Sequence, residues 1–257
     1  MGILNVTEDS FYDGGKYTSK EKVLKRAEQI VLEGGDIIDI GAMSTRPDAR
    51  EIPENEETDR IASAVEIVRK AFPNTSISVD TYRACVAKAA VQAGASMVND
   101  ISGGTFDPEM IPTIGQIRIP YCVMHTTAKP AVMQQHTQYN DILADLLRFF
   151  GQQVEKLHQH HVHDIILDLG FGFGKTLEQN YFLMKNLQVF KELGYPILVG
   201  ISRKSMIYKL FNTTPEHALN GTTALNTIAL AKGADILRVH DVKQAVETRT
   251  IISLLNP

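Results

Sequence analysis

Eight polar or charged side chains stand at the ends of short apolar runs, and their types suit chemistry on a nitrogen-rich, phosphorylated substrate. They are Asn5, Asp39, Asp80, Asn99, His125, Asp168, Lys204 and Arg238. A carboxylate held against an amino-amidine edge makes paired hydrogen bonds, as it does with an arginine fork, and amides can bind the same kind of ring. Cationic side chains, together with Asn5 and a hard divalent metal ion, suit a diphosphate. The residue types therefore suggest a polar heterocycle bound deep in the fold, with a phosphorylated tail at its rim.

The apolar run that ends at Asp168 continues into a glycine-rich loop, with the sequence IILDLGFGFGKT at positions 165–176. The phosphate-binding P-loop pattern requires glycine at position 169, which is Leu169. The dinucleotide-binding pattern that begins at Gly170 requires glycine at position 175, which is Lys175. Both patterns fail. The stretch is instead predicted to be a buried strand that delivers Asp168 to its carboxyl end, followed by a loop that can approach a ligand closely.

Apolar runs and helix-like sequence alternate along the whole chain, with no linker or low-complexity segment between them. The eight predicted strands cover residues 2–5, 37–40, 76–79, 96–98, 121–124, 165–168, 196–200 and 236–240, and one unbroken helix is predicted over 177–193. This alternation predicts a single-domain (β/α)8 TIM barrel over residues 1–257, in which all eight strand ends converge on one face. A doubly wound parallel sheet is the alternative. The first run is shorter than the usual ~5–6 residues of a strand, so the first strand could be truncated at its N-terminus.

Composition excludes several classes of protein. The 257 residues are 44% hydrophobic and 22% charged, which is ordinary for a globular protein. A net charge of -4 gives no electrostatic footprint for nucleic acid. No apolar run approaches the ~20 residues that span a bilayer, and no signal peptide is present, so a cytoplasmic protein without a membrane partner is expected. The two cysteines, Cys85 and Cys122, lack metal-ligand spacing and are predicted to be small core residues.

Six stretches of the sequence closely resemble the dihydropteroate synthase family. They are MGILNVTEDSFYDGG at 1–15, DIGAMSTRP at 39–47, SVDT at 78–81, NDISGG at 99–104, GISRKS at 200–205 and LRVHD at 237–241. The resemblance covers essentially the whole chain in order. It implies a (β/α)8 barrel, usually a homodimer, that acts in folate biosynthesis and is a sulfonamide target. Such a transferase joins 6-hydroxymethyl-7,8-dihydropterin diphosphate to 4-aminobenzoate and releases diphosphate with the help of Mg²⁺.

The resemblance also implies roles for particular side chains. It assigns to the pterin pocket Asp80, Asn99, Asp168 and Lys204. It places Arg238 against the pterin and, with His240, at the diphosphate, and it makes Asn5 the protein-side partner of Mg²⁺. It assigns Asp13 to a first loop that closes over the substrates, and it assigns to the aminobenzoate site Thr45, Arg46, Pro47, Phe173, Lys204 and Ser205. The residues implied in catalysis are Asp80, Lys204, Arg238 and Asp13, whereas Asp39 is expected only to orient a loop.

The implied chemistry needs no serine or cysteine nucleophile, because the aromatic amine of aminobenzoate is itself nucleophilic. Buried carboxylates could stabilise the electron-poor pterin methylene, so departure of diphosphate could precede attack in a dissociative substitution. Departures from the family pattern at Glu8, at Leu169 and over residues 124–130 leave two alternatives open. One is a pterin-binding barrel without synthase activity. The other is a pterin-binding methyltransferase domain, against which residues 45–47 and 202–205 argue.

Overall fold

Eight parallel strands form one sheet in the order of the chain. A computed structural model of the chain describes residues 1–6, 16–43 and 52–255. The strands are β1 (Gly2–Asn5), β2 (Ile37–Gly41), β3 (Ser76–Asp80), β4 (Met97–Asp100), β5 (Tyr121–Met124), β6 (Ile165–Asp168), β7 (Ile197–Val199) and β8 (Ile236–Leu237). The sheet closes on itself because Ile3 N–H donates to the Val239 carbonyl and Val239 N–H donates to the Met1 carbonyl, each at 3.0 Å. The predicted (β/α)8 barrel is therefore confirmed, and the doubly wound sheet is excluded.

Helices follow each strand and cover the outside of the barrel. They are α1 (Lys16–Leu32), α2 (Glu54–Ala71), α3 (Ala84–Gln92), α4 (Met110–Ile117), α5 (Ile142–Gln159), α6 (Leu177–Lys185), α7 (Ser205–Tyr208), α8 (Leu219–Ala231) and α9 (Val242–Leu255). Short 3₁₀ helices occupy Met133–Gln135, Leu187–Leu193 and Pro215–His217. Within the described ranges, no helix combines the length and the apolar character needed to cross a bilayer.

The strands β2, β3, β4 and β7 differ from their predicted bounds by one or two residues at an end, and two elements differ more. The helix predicted over 177–193 ends at Lys185, and a 3₁₀ helix resumes at Leu187. Between them, the side chain of Asn186 donates to the Phe182 carbonyl at 2.9 Å, a local bond typical of residues that compete with helix continuation. The last strand ends at Leu237 rather than His240, because beyond it the chain meets β1 only at the single bridge between Gly2 and Val239.

In the described part of the chain, apolar side chains form three clusters, of which one, made of Tyr82, Ile101, Met124, Met133 and Phe173, lies at and beyond the carboxyl ends of the strands. The largest cluster lies between the strands and the helices, and it includes Leu169 of the glycine-rich loop. A smaller cluster of Met1, Met97, Cys122, Ile166 and Leu198 is formed by interior-facing residues of five segments of the barrel. Cys122 is thus a core residue as predicted. The same prediction was wrong for Cys85, which is exposed because Ala84, Val86, Ala87 and Ala90 take the buried face of α3.

Strand register brings the polar strand ends to a common level. Asn5 pairs with Gly41, Gly41 with Asp80, and Asp80 with Asn99. Side chains at one level of adjacent parallel strands point to the same side of the sheet. The carboxyl ends of the strands therefore present Asn5, Asp80 and Asn99 together.

Candidate active site

A buried ion-pair network lies at the carboxyl ends of β2, β3 and β8. Arg238 follows β8 and donates from Nε to Asp39 Oδ2 and from Nη2 to Asp80 Oδ2, both at 2.6 Å. Asn99 on β4 donates from Nδ2 to the same Asp39 oxygen at 3.2 Å. Asp39 has no exposed surface, so these donors replace water at Oδ2, whereas Oδ1 is buried without a hydrogen-bond partner among the described residues. Three predicted site residues, Asp80, Asn99 and Arg238, therefore belong to one network with Asp39. Asp39 was expected only to orient a loop, but it also binds the side chains of Asn99 and Arg238.

Burial and neighbouring charges set the protonation of this network. Burial raises the pKa of Asp80 to about 7, with Arg238 opposing the rise and Asp39 adding to it. Burial lowers the pKa of Arg238, but its attraction to Asp39 and Asp80 outweighs that effect and leaves the pKa above its usual value. A carboxyl group that titrates near neutral pH beside a permanent cation is typical of a functional site.

A second group surrounds the loop between β6 and α6. Asp168 Oδ1 accepts the N–H of Gly170 at 2.8 Å, and Lys204 Nζ donates to the Phe171 carbonyl at 2.6 Å. The Lys204 ammonium also lies 4.5 Å from the centroid of the Phe173 ring, a cation–π contact. Burial raises the pKa of Asp168, and Lys204 opposes that rise. Burial lowers the pKa of Lys204 to about 8, and here Asp168 opposes the shift.

The two groups adjoin across Gly200, which follows β7. A Cβ atom at this position would lie 3.7 Å from Arg238 Cβ and 3.9 Å from Asp168 Oδ2. Gly200 therefore lies between the two groups, close enough for a Cβ there to make ordinary van der Waals contact with both.

Two further contacts fix the segments that follow β7 and β8. His240 Nδ1 lies 3.0 Å from Ser202 Oγ, and the His240 N–H donates to that oxygen at 3.1 Å. Burial lowers the pKa of His240 to about 4, and Arg238 adds to the shift, so the imidazole is neutral at neutral pH. Arg203 makes a paired contact with Asp241, at 2.9 and 2.7 Å. Ser205 begins α7 directly after Lys204.

His125 lies in the interior beside a second buried lysine. Its ring packs against Phe149 and Tyr139, with centroid distances of 4.9 and 5.9 Å. His125 Nδ1 lies 3.2 Å from Nζ of Lys175, the residue that ends the glycine-rich loop. Burial lowers the pKa of His125 to about 2, and the charge of Lys175 adds to this.

Asn5 is the residue predicted to hold a metal ion, and its surroundings partly suit that role. Its side chain is exposed at the end of β1. A Cβ at Gly41 would lie 3.7 Å from both Asn5 Oδ1 and Asp80 Oδ2, so the glycine leaves these two oxygens facing a common space. Across the described ranges, no group of three or more His, Cys, Asp or Glu side chains is arranged to bind a metal. A single amide oxygen fits Mg²⁺ only where substrate phosphates and water complete the coordination.

Four predicted residues lie outside the described part of the chain: Asp13, Thr45, Arg46 and Pro47. The structure brings together the other predicted residues at the carboxyl ends of the strands. Sequence reasoning overlooked two contributions, those of Ser202 and Lys175. The signal for Lys175 was present, because it ends the glycine-rich loop, but only the fold shows that it points inward.

Comparison with known proteins identifies several similar chains. The sequence profile of the family described as pterin binding enzymes matches residues 1–240. A dihydropteroate synthase from Synechocystis sp. is 45% identical over 95% of this chain and 85% of its own length. A solved Yersinia pestis dihydropteroate synthase in complex with a sulfonamide drug has a TM-score of 0.93 and 40% identity, and the match covers 100% of this chain and 93% of that one. The Clostridium difficile synthase, solved in the presence of pteroic acid, has a TM-score of 0.93 and 38% identity over 99% and 95% of the two chains.

Proposed function

The chain belongs to the pterin binding enzymes and, within them, to the dihydropteroate synthases, and from this we propose how its barrel face performs the reaction. The transferase reaction joins 6-hydroxymethyl-7,8-dihydropterin diphosphate to 4-aminobenzoate and gives 7,8-dihydropteroate and diphosphate. The observation that carries the assignment of roles is the convergence of Asp80 and Asp168 with Asn99 and Lys204 at the carboxyl ends of the strands. Such a set can bind the donor and acceptor edges of a pterin ring.

In this proposal the pterin ring lies between the two groups described above. Asp168 anchors the amino-amidine edge, and Asn99 and Asp80 bind further ring atoms. The fixed positions of Asp80 and Asn99 around Asp39 support this arrangement, because both are held before a ligand arrives. Pre-organised polar groups bind a ligand with a smaller ordering cost than free ones.

Arg238 and His240 are proposed to receive the diphosphate. The guanidinium keeps its proton because two carboxylates face it, so it supplies a constant positive charge. A neutral His240 can donate one hydrogen bond to a phosphate oxygen. Mg²⁺, held by Asn5 and by the diphosphate itself, would neutralise charge that builds on the leaving group.

Aminobenzoate is proposed to lie beside Phe173, Lys204 and Ser205, with Thr45, Arg46 and Pro47 from the second loop and Asp13 from the first. The bond from the pterin methylene to the diphosphate oxygen breaks with its electron pair, and the amine lone pair forms the new carbon–nitrogen bond. The amine proton then passes to diphosphate or to solvent. Asp80 and Asp168 can stabilise a positively charged methylene between these steps, as a dissociative substitution requires. Sulfonamides would compete at the same aminobenzoate site.

We further propose that the enzyme is a cytoplasmic homodimer. Exposed apolar side chains on α6, after α7 and on α8 support a subunit interface on that side of the barrel. They are Phe182, Phe211 and Ile228.

The deciding experiment measures diphosphate release from the pterin diphosphate, with and without aminobenzoate and Mg²⁺. Release that depends on both supports the synthase proposal. The Asp168→Asn variant should keep the fold and bind the pterin at least ~10-fold more weakly, because a neutral amide cannot pair with the amino-amidine edge. Tight pterin binding without amine-dependent turnover would instead indicate a pterin-binding barrel without synthase activity.

A further inference from the structure

Lys175 places a charged group in the interior that the roles proposed above do not use. Its residue is 3% exposed. Nζ donates to the carbonyls of Gly170 and Phe173, each at 3.0 Å, and to the carbonyl of His125 at 3.3 Å. The first two carbonyls belong to the loop after β6, and the third follows β5. One ammonium group therefore ties two neighbouring loops of the barrel face together.

The surroundings of Lys175 make its charge costly to keep. Burial lowers its pKa to about 7, and Asp168 opposes this shift while Lys204 adds to it. His125 Nδ1 lies 3.2 Å from Nζ, where the neutral ring can share one of the three N–H groups with a carbonyl. A buried cation is tolerated only where its hydrogen bonds replace the lost hydration. The carbonyls around Lys175 meet that requirement. The ammonium is therefore stable only with the loops in this arrangement, and it holds the loops in that arrangement in turn.

The loop that Lys175 holds also supplies the partners of the proposed substrate residues. The Phe171 carbonyl accepts a hydrogen bond from Lys204 Nζ, and the Phe173 ring faces the Lys204 ammonium. The Gly170 N–H donates to Asp168. The methylene stem of Lys204 packs on Gly172, where a Cβ would lie 3.2 Å from Lys204 Cδ. A displacement of the loop would therefore move Phe173 and Lys204, both proposed to contact aminobenzoate, together.

The loop packs closely against the loop after β5. A Cβ on Gly170 would lie 2.0 Å from the His125 carbonyl oxygen, and one on Gly174 would lie 2.0 Å from Thr127 Oγ1. Two other side chains from the segment after β5 also donate to this loop: Gln134 Nε2 to the Gly172 carbonyl at 2.9 Å and Tyr139 Oη to the Gly174 carbonyl at 3.0 Å. Lys175 differs from both because its ammonium is buried and contacts both loops at once.

We propose that Lys175 is a positioning residue for the transfer to aminobenzoate. Its ammonium sets the place of Phe173 and Lys204 by joining the loops after β5 and β6. This inference rests on the proposed function. Of the residues proposed to bind the pterin, Asp80 and Asn99 stand on strands that Lys175 does not contact, and the backbone of Asp168 is held in β6 by its pairing with Met124. Lys204 depends directly on the loop, so the effect of losing Lys175 should fall on aminobenzoate more than on the pterin.

The test compares steady-state kinetics of Lys175→Met with those of the wild-type enzyme. Methionine keeps the length and apolar stem but removes the three N–H donors. We expect the KM for aminobenzoate to rise at least about tenfold, and the KM for pterin diphosphate to rise by less than about threefold, because a small misplacement of a positioning group is costly. A merely structural role would reduce the active fraction, which lowers kcat and leaves both KM values unchanged. Lys185→Met, an exposed change on α6, is the matched control and should leave all constants unchanged.

Tyr139→Phe provides a second variant that removes no buried charge. Tyr139 Oη donates to the Gly174 carbonyl of the same loop at 3.0 Å. Its loss should raise the KM for aminobenzoate about threefold, the effect of one hydrogen bond. If Lys175→Met does not fold, an unchanged KM in Tyr139→Phe overturns the inference. Unchanged KM values in both folded variants also overturn it while leaving the proposed function intact, whereas absence of amine-dependent release by the wild-type enzyme contradicts the proposed function itself.

Discussion

Asp39 acts on the proposed site through the charges of its neighbours. It adds to the rise in the pKa of Asp80 and shares Arg238 with it. With the pKa of Asp80 at about 7, this carboxyl group is protonated at lower pH and then loses its attraction for Arg238. We therefore expect kcat/KM for pterin diphosphate to fall as the pH drops below 7, by about tenfold per pH unit for a single essential carboxylate.

The Asp39→Asn variant tests this link. Asparagine keeps the side-chain shape but removes the negative charge that raises the pKa of Asp80, and it leaves Arg238 to Asp80 alone. Both changes favour the Asp80 carboxylate, so the acid limb of the profile should move to lower pH. A limb that stays in place or moves to higher pH would show that another group controls it.

Sequence reasoning predicts where in the fold these individual residues lie but not which residues they contact. A polar residue at the end of an apolar run identifies Asp80, Asn99 and Asp168, because strand alternation fixes which way they point. The partners of Arg238 lie 199 and 158 positions away in sequence, and only barrel closure brings them together. For the same reason, the sequence alone does not distinguish Lys175 from a surface lysine. The contact between the loops after β5 and β6 shows that it is buried.

The loop between β6 and α6 depends on glycine where it passes under the loop after β5. Gly170 has φ +67°, and any Cβ there would clash with the His125 carbonyl oxygen. Gly170→Ala should therefore lower the free energy of unfolding by about 3 kcal/mol through combined backbone strain and overpacking. Urea unfolding measures this directly.

Gly151 provides the matched control for that substitution. It lies inside α5, and a Cβ atom added there would have no other group within 4 Å. Gly151→Ala should raise the free energy of unfolding by ~0.5–1 kcal/mol, since alanine is the better helix former. Equal effects at both glycines would contradict the tight packing described between the two loops.

Element bounds were predictable where local chemistry sets them. Strands β1, β5 and β6 have their predicted bounds, because each is a continuous, mostly apolar run with clear ends. The capping box of Thr176 and Gln179 likewise begins α6 directly after the glycine-rich loop. The early end of β8 could not be predicted, because it depends on where the chain pairs with β1 to close the barrel.

At the scale of the whole molecule, barrel closure is what turns scattered motifs into one site. The pairing of Val239 with β1 places Arg238 inside the barrel, opposite the ends of β2 and β3. The sequence predicted this architecture from alternation alone. It could not predict the side of the barrel available for a second subunit, because exposed apolar residues are recognised only after packing is known.

The apolar residues proposed for the subunit interface lie on neighbouring elements. Tyr181 Oη donates to the Met206 carbonyl at 3.1 Å, which joins α6 to α7, and Lys232 Nζ donates to the Lys185 carbonyl at 2.8 Å, which joins the ends of α8 and α6. A Cβ on Gly221 would lie 3.3 Å from the Phe211 ring, so this side chain rests against the start of α8.

A charged substitution on this surface tests the proposed homodimer. Ile228→Glu would bury an unpaired carboxylate in the interface and should weaken dimerisation by at least about 2 kcal/mol, while the monomer keeps its fold because Ile228 is 42% exposed. Sedimentation velocity over a range of concentrations measures the change. Leu32→Glu is the control, since Leu32 is 79% exposed at the end of α1 and belongs to a different surface. A wild-type monomer at all concentrations, or a dimer that survives Ile228→Glu unchanged, would remove this face from the interface.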